Sequence, residues 1–342
     1  MSPVEQPRTP RQDDGPADLA DLLHAMVRIR VAEETIGDVY RDEQEMRTPV
    51  HFSIGQEATA VGVCAALRRE DLVYGGHRCH AQYLAKGGDL DAMVAELYGR
   101  RTGCAAGRGG SVHLTDLEAG FGASSAILGE MIAVATGAAW TFAEPFDRTE
   151  GRLGRIAVTF FGDGASEEGV FHESLNFASL HRLPVLYVCE NNQYSLSSGL
   201  AARQPAGHSI TDRARGYGIT ARRLDGNDVV AVHEAAREAV RHCREGRGPY
   251  FLELDTYRWR EHVGPNRDHE QGVRPAADVE SWMRRCPVRR ATEALRATDP
   301  GIDARVATWT RQARAEVNAA IDAAKASPFP AVSDLLTGTY AT

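Results

Sequence analysis

Disulfide pairing, membrane-spanning length and an excess of basic charge are all missing from this chain, and each absence removes a class of function. The six cysteines, Cys64, Cys79, Cys104, Cys189, Cys243 and Cys286, are scattered with no C-x-x-C pair. A disulfide framework and a cysteine zinc centre are therefore both unexpected. Cys189 lies inside an apolar run and reads as a small buried hydrophobe. No apolar run approaches membrane-spanning length, and the N-terminus shows no apolar signal region, so a cytoplasmic protein with no membrane contact is expected. The formal net charge of −8 argues against a nucleic-acid surface. What the chain does have is core material. Its 342 residues are 43% hydrophobic and 25% charged, enough for one large α/β domain or two smaller ones without a covalent staple.

Residues 1–16, MSPVEQPRTPRQDDGP, offer almost nothing to bury and predict a disordered tail, with 17–342 a single domain behind it. From Asp18, the apolar positions Leu19, Leu22, Leu23, Met26, Val27, Ile29 and Val31 recur at helical spacing, predicting an amphipathic helix to Arg41. An Ala/Val-rich helix through Leu67 follows, with Ser53 or Gly55 suited to cap it. Phe142–Arg155 reads as a surface loop and Gly199–Arg215 as an active-site loop. A helix is expected from about Val229 to Arg244, and a strand within Gly248–Tyr257. The last ninety or so residues read as packing helices interrupted at Pro287 and Pro300.

The centre of the chain is more informative. Ile156–Phe161 predicts a buried strand, Gly162-Asp163-Gly164 a turn, the next stretch a helix, and Val185–Cys189 a second strand ending in Asn191-Asn192. This is a βαβ unit whose strands lie parallel and adjacent. Ligands of such sheets gather at the carboxyl ends of strands, and here those ends carry Asp163 and Asn192. A carboxylate, an amide oxygen and a nearby carbonyl make a partial cage for Mg²⁺, which completes its octahedron with waters and phosphate oxygens. A magnesium diphosphate is the inferred ligand.

GDG, just under thirty residues, then NN resembles the thiamine-diphosphate motif. With its flanks the chain resembles the α subunit of the E1 component of 2-oxo acid dehydrogenase complexes (pyruvate, branched-chain and acetoin types). That resemblance implies an α/β thiamine-diphosphate-binding fold with a mostly parallel central sheet flanked by helices. It implies metal ligation by the side chains of Asp163 and Asn192 and the carbonyl of Tyr194, with the backbone of Gly164 and Ala165 approaching the diphosphate. His51 begins a stretch similar to H-x-x-x-G-Q-E-A, whose histidine points into the active site. His77-Arg78-Cys79-His80 is similar to Y-R-x-H-G. Arg78 suits a diphosphate through its planar fork, while His77 replaces the usual Tyr beside the cofactor and Ala81 the usual Gly. Ser111 and His113 fall in a segment resembling the site floor, Ala126 and Leu128 in one that holds the aminopyrimidine ring, and His262 where a histidine reaches the diphosphate and the reacting carbon. Val263 stands where mitochondrial members often carry a phosphorylated Ser, so no such switch is expected.

The implied activity is decarboxylation of a 2-oxo acid, with the acyl group passed to a lipoyl-bearing E2 partner and with His262 and His51 handling protons. The family's glutamate for the aminopyrimidine belongs to a separate β subunit; Glu130 is more simply part of the floor. The chain is thus expected to supply the Mg²⁺-diphosphate half of a site in an α2β2 assembly. One alternative is a transketolase-like enzyme that passes a two-carbon ketol unit from a ketose phosphate to a lipoyl or acyl-carrier protein, with His77, His80, Arg258 and Arg260 toward the sugar phosphate. The other is a noncatalytic scaffold.

Overall fold

The computed structural model describes residues 17–143 and 154–336. The expected tail at 1–16, most of the 142–155 loop and the end of the chain lie outside the described residues. Six strands form one parallel sheet: β1 (Leu72–Gly75), β2 (Phe121–Ser124), β3 (Ala157–Gly162), β4 (Val185–Asn191), β7 (Thr220–Asp225) and β8 (Tyr250–Asp255). β5 (Tyr194–Ser195) and β6 (Ser198–Gly199) form a small antiparallel pair beyond β4. The order across the sheet is β2-β1-β3-β4-β8-β7. The chain steps one way from β1 to β2 and returns to β3 on the other side of β1, so a topological switch point opens between β1 and β3.

Strand alternation produces the two layers of core. Val158, Phe160, Leu186, Val188, Leu252 and Leu254 face one side, packing with helices that include α1 (Leu19–Glu43), α2 (Glu57–Cys64) and α9 (Val229–Arg244). Ala157, Phe161, Val185, Tyr187, Cys189 and Phe251 face the other, toward α5 (Glu130–Phe142) and α6 (Gly169–Leu180). Both central strands read as near-continuous apolar runs, interrupted by Thr159 in β3, because helices cover both faces.

The helical expectations hold with small shifts. Asp18 caps α1, its side chain accepting from the Ala20 amide. α2 ends at Cys64 rather than Leu67, and neither Ser53 nor Gly55 caps it: Gln56 holds the N-cap position without a side-chain bond. Pro287 is the first residue of a helix running to Leu295, where its missing N–H costs no intrahelical bond. The 199–215 stretch is not one loop. It contains two short helices, Leu200–Arg203 and Ile210–Gly216, the second fastened by a Ser209/Asp212 capping box.

Candidate functional site

The tips of β3 and β4 lie side by side: Phe161 pairs with Cys189 and Gly162 with Glu190. Just past them, Ala165 and Asn192 line a cleft bordered by Gly76, His77 and Arg78 after β1 and by Leu128 after β2. The cleft thus opens at the switch point, where peptide N–H groups and turning loops leave room for a ligand. Asp163 is 1% exposed; its Oδ2 accepts from the Arg203 guanidinium, and its Oδ1 is buried with no partner. Burial raises its pKa, and the Arg203 charge opposes that rise. The Asn192 amide oxygen accepts from the Tyr194 N–H at 3.1 Å, which leaves that oxygen a second lone pair. Gly164 makes room for Ser195: a Cβ there would lie 2.6 Å from the serine Oγ.

Arg78, 8% exposed, pins the two histidine-bearing segments together. Its Nη1 donates to the Phe52 carbonyl at 2.5 Å and its Nη2 to the His262 carbonyl at 3.2 Å. Backbone bonds from Trp259 N to Ile54 O (3.0 Å) and from Gly264 N to Val50 O (2.8 Å) zip the same segments. Among the described residues Arg78 has no carboxylate partner. Burial, then the neighbouring Arg258 charge, lower its pKa to about 9. Glu33 and Glu190 act on it electrostatically without bonding it, and a buried cation whose hydrogen bonds all go to carbonyls keeps donors for an anion.

His77 lines the cleft, and His51 and His262 cluster against it, with ring centres 4.7 (His51–His77), 5.3 (His51–His262) and 5.1 Å (His77–His262) apart. Burial, then the Arg78 charge, lower the pKa of His51 to about 3 and of His262 to about 4, and push His77 well below the usual value. All three imidazoles are therefore neutral at pH 7, each able to donate from one nitrogen and accept at the other. Ala126 and Leu128 are exposed on the loop before α5. Glu130 begins that helix, with its carboxylate accepting from Ser125 Oγ at 2.6 Å, a local anchor that matches its reading as floor.

Several residues outside the sequence reading shape this site. Glu33, fully buried on α1, accepts from the Ser53 amide at 2.9 Å and lies 3.6 Å from His80 Nδ1; His80 in turn meets Ser111 Oγ at 3.0 Å. His80 and Ser111 are each 0% exposed. His80 is thus a framework residue, a correction to its place among groups facing a sugar phosphate. Arg258, also offered for that role, is 1% exposed and spent on Asp268 and the carbonyls of Arg260 and Leu196. His113 is exposed and does not line the cleft, whereas Glu190 and Gln56 do. Glu57 turns from its helix end to grip Arg30 through both oxygens at 2.6 and 2.7 Å. A carboxylate embedded in the apolar stripe of α1 was the one readable sign of Glu33; nothing in the local pattern marked Arg203.

The dehydrogenase E1 component family matches this chain over residues 24–333. The α subunit of acetoin:2,6-dichlorophenolindophenol oxidoreductase from Bacillus subtilis is 35% identical over 325 residues, covering 93% of this chain and 92% of that protein. The corresponding Cupriavidus necator subunit is 39% identical over 298 residues, covering 85% of each. The mitochondrial pyruvate dehydrogenase E1 component subunit alpha-1 of Oryza sativa subsp. japonica is 35% identical over 334 residues, covering 95% of this chain and 80% of that one. With the parallel sheet and the cleft at its switch point, these likenesses make the chain a member of the dehydrogenase E1 component family.

Proposed function

We propose that this chain is the α subunit of a thiamine-diphosphate- and Mg²⁺-dependent E1 enzyme that decarboxylates a 2-oxo acid and delivers the acyl group to a lipoyl carrier. The single observation that carries this reading is the placement of Asp163 and Asn192 just past the adjacent tips of β3 and β4, with Asn192 lining the same cleft as Arg78, whose guanidinium bonds only carbonyls. The residues fit the cofactor: Asp163 Oδ1 is buried without a partner, and the Arg78 fork has N–H groups left after its two carbonyl bonds. Asp163, Asn192 and the Tyr194 carbonyl would hold Mg²⁺. Arg78, His77, His262 and the backbone of Gly164 and Ala165 would meet the diphosphate, with Ala126 and Leu128 toward the aminopyrimidine. Thiamine diphosphate supplies an electron sink for the carbon that loses CO₂.

Leu128 presents apolar surface to the cleft. His51 and His262, both neutral at pH 7, each hold a ring N–H that can donate to an oxygen gaining charge, an effect of ~10²–10⁴-fold. An incoming diphosphate offsets the Arg78 charge that depresses them and moves both pKa values toward neutrality. Glu130 is held by Ser125, so the carboxylate that tautomerises the pyrimidine is assigned to a β subunit in an α2β2 assembly, with a lipoyl-bearing E2 as acceptor. All six cysteines are unpaired, as a reducing compartment such as the cytoplasm requires. No helix among the described residues is long and apolar enough to cross a membrane.

The acetoin and pyruvate relatives and the burial of His80 and Arg258 favour this reading over the ketose alternative. The test is co-expression with a β-type subunit and a screen for CO₂ release from pyruvate and branched 2-oxo acids against aldose phosphate release from a ketose phosphate. Cofactor- and Mg²⁺-dependent CO₂ release is expected. Aldose phosphate alone would overturn the proposal.

A further inference from the structure

The histidine cluster beside the cleft satisfies a second chemistry. One nitrogen from each of His51, His77 and His262 lies within 4.8 Å of the other two. Their ring centres, 4.7 to 5.3 Å apart, match the roughly 5 Å spacing of imidazoles around a tetrahedral ion with Zn–N bonds of about 2 Å. His51 Nδ1 and His77 Nε2 are buried with no hydrogen-bond partner. We propose that His51, His77 and His262 form a three-nitrogen site for a borderline transition-metal dication such as Zn²⁺, distinct from the oxygen donors at Asp163 and Asn192.

Three arguments support this. The ligands come from three separate segments, before α2, after β1 and after β8, held in place by the Arg78 clamp and the backbone bonds described above. Neutral imidazoles are the form that binds metal, and burial beside a guanidinium keeps all three neutral. The donor set is all nitrogen, which suits Zn²⁺, Co²⁺ or Cu²⁺ and excludes a preference for Mg²⁺. The Arg78 charge opposes any cation here and no carboxylate backs the rings, so affinity falls short of a purpose-built zinc centre. Three protein ligands leave a fourth position open. The binding claim is independent of the proposed activity; if that activity holds, a bound dication would sit between the two histidines assigned to it and inhibit reversibly.

The test uses the full-length chain, stripped by a chelator and titrated with Co²⁺ without thiamine diphosphate or Mg²⁺. One equivalent is expected to bind, with the intense visible absorption of four- or five-coordinate nitrogen ligation, and to be displaced by Zn²⁺. His77→Tyr, which keeps a planar polar ring but removes the nitrogen, should weaken binding about tenfold or more, and His51→Gln should do the same, with far-ultraviolet circular dichroism confirming the fold. Asp163→Asn should leave Co²⁺ binding unchanged. Binding unaltered in both histidine variants, weak octahedral bands, or loss of binding in Asp163→Asn would each overturn the proposal. CO₂ release by the assembled enzyme, measured separately, keeps a failure here distinct from a failure of the proposed activity.

Discussion

Arg203 lays its guanidinium across Asp163: one nitrogen donates to the Asp163 carboxylate and another to Glu167 at 2.5 Å, and the arginine side chain is only 12% exposed. The arginine belongs to the short 200–203 helix, in a stretch that carries no other sign of its role. It places a cation on the carboxylate to which the proposed Mg²⁺ site would assign one.

A group that bonds Asp163 only in the metal-free form lowers metal affinity by the free energy of that bond. Arg203→Gln should therefore tighten Mg²⁺-dependent cofactor binding by roughly fivefold, about 1 kcal/mol of coupling, while lowering the melting temperature of the free chain. Isothermal titration would show it; weaker binding in the variant would mean that Arg203 contacts the cofactor instead.

Asp163→Asn removes the charge but keeps the shape. Since a buried carboxylate is the strongest hard donor at these tips, Mg²⁺-dependent stabilisation of the chain by thiamine diphosphate should vanish in a thermal-shift assay, with circular dichroism unchanged. Retained stabilisation would move the metal elsewhere.

His262→Ala should lower turnover of the assembled enzyme well over tenfold, within the ~10²–10⁴-fold span of proton-transfer groups, with cofactor affinity only modestly weakened. Wild-type rates would remove His262 from the chemistry.

Acid should destabilise the cofactor-free chain through its site histidines. The folded-state pKa of His51 is depressed to about 3 and that of His262 to about 4, from 6.5, so between those values and 6.5 the unfolded chain binds more protons. Their contribution is whole above pH 6.5 and is lost as pH falls toward the folded values. Melting temperature should thus drop less between pH 7.5 and 5 in His51→Gln than in wild type (sampling on both sides of the His reference pKa of about 6.5), and equal drops would mean that His51 is not buried neutral.

Gly55 has φ of +100°, and a Cβ there would lie 2.5 Å from the Trp259 ring and 2.7 Å from the Tyr257 carbonyl oxygen. Gly55→Ala should cost about 2–4 kcal/mol, combining backbone strain with overpacking. Chemical denaturation would measure it, and a loss below about 0.5 kcal/mol, the range of an inert surface change, would show that the 53–57 turn relaxes freely.

The amino-acid sequence by itself determined the layered βαβ core, because near-continuous apolar strands such as 156–161 and 185–189 have no stable alternative to burial under helices on both faces. It also determined that Asp163 and Asn192 lie past neighbouring strand ends, since consecutive strands of one βαβ unit lie parallel and adjacent. Tertiary structure alone decided what surrounds them. Arg203 meets Asp163 across 40 residues and Arg78 meets the His262 carbonyl across 184, separations over which no local periodicity carries information. The same holds for His80, whose chemistry suits a phosphate but which packing buried against Ser111 and Glu33. Side-chain type limits what a residue can do, and long-range contacts determine whether it is ever in a position to do it.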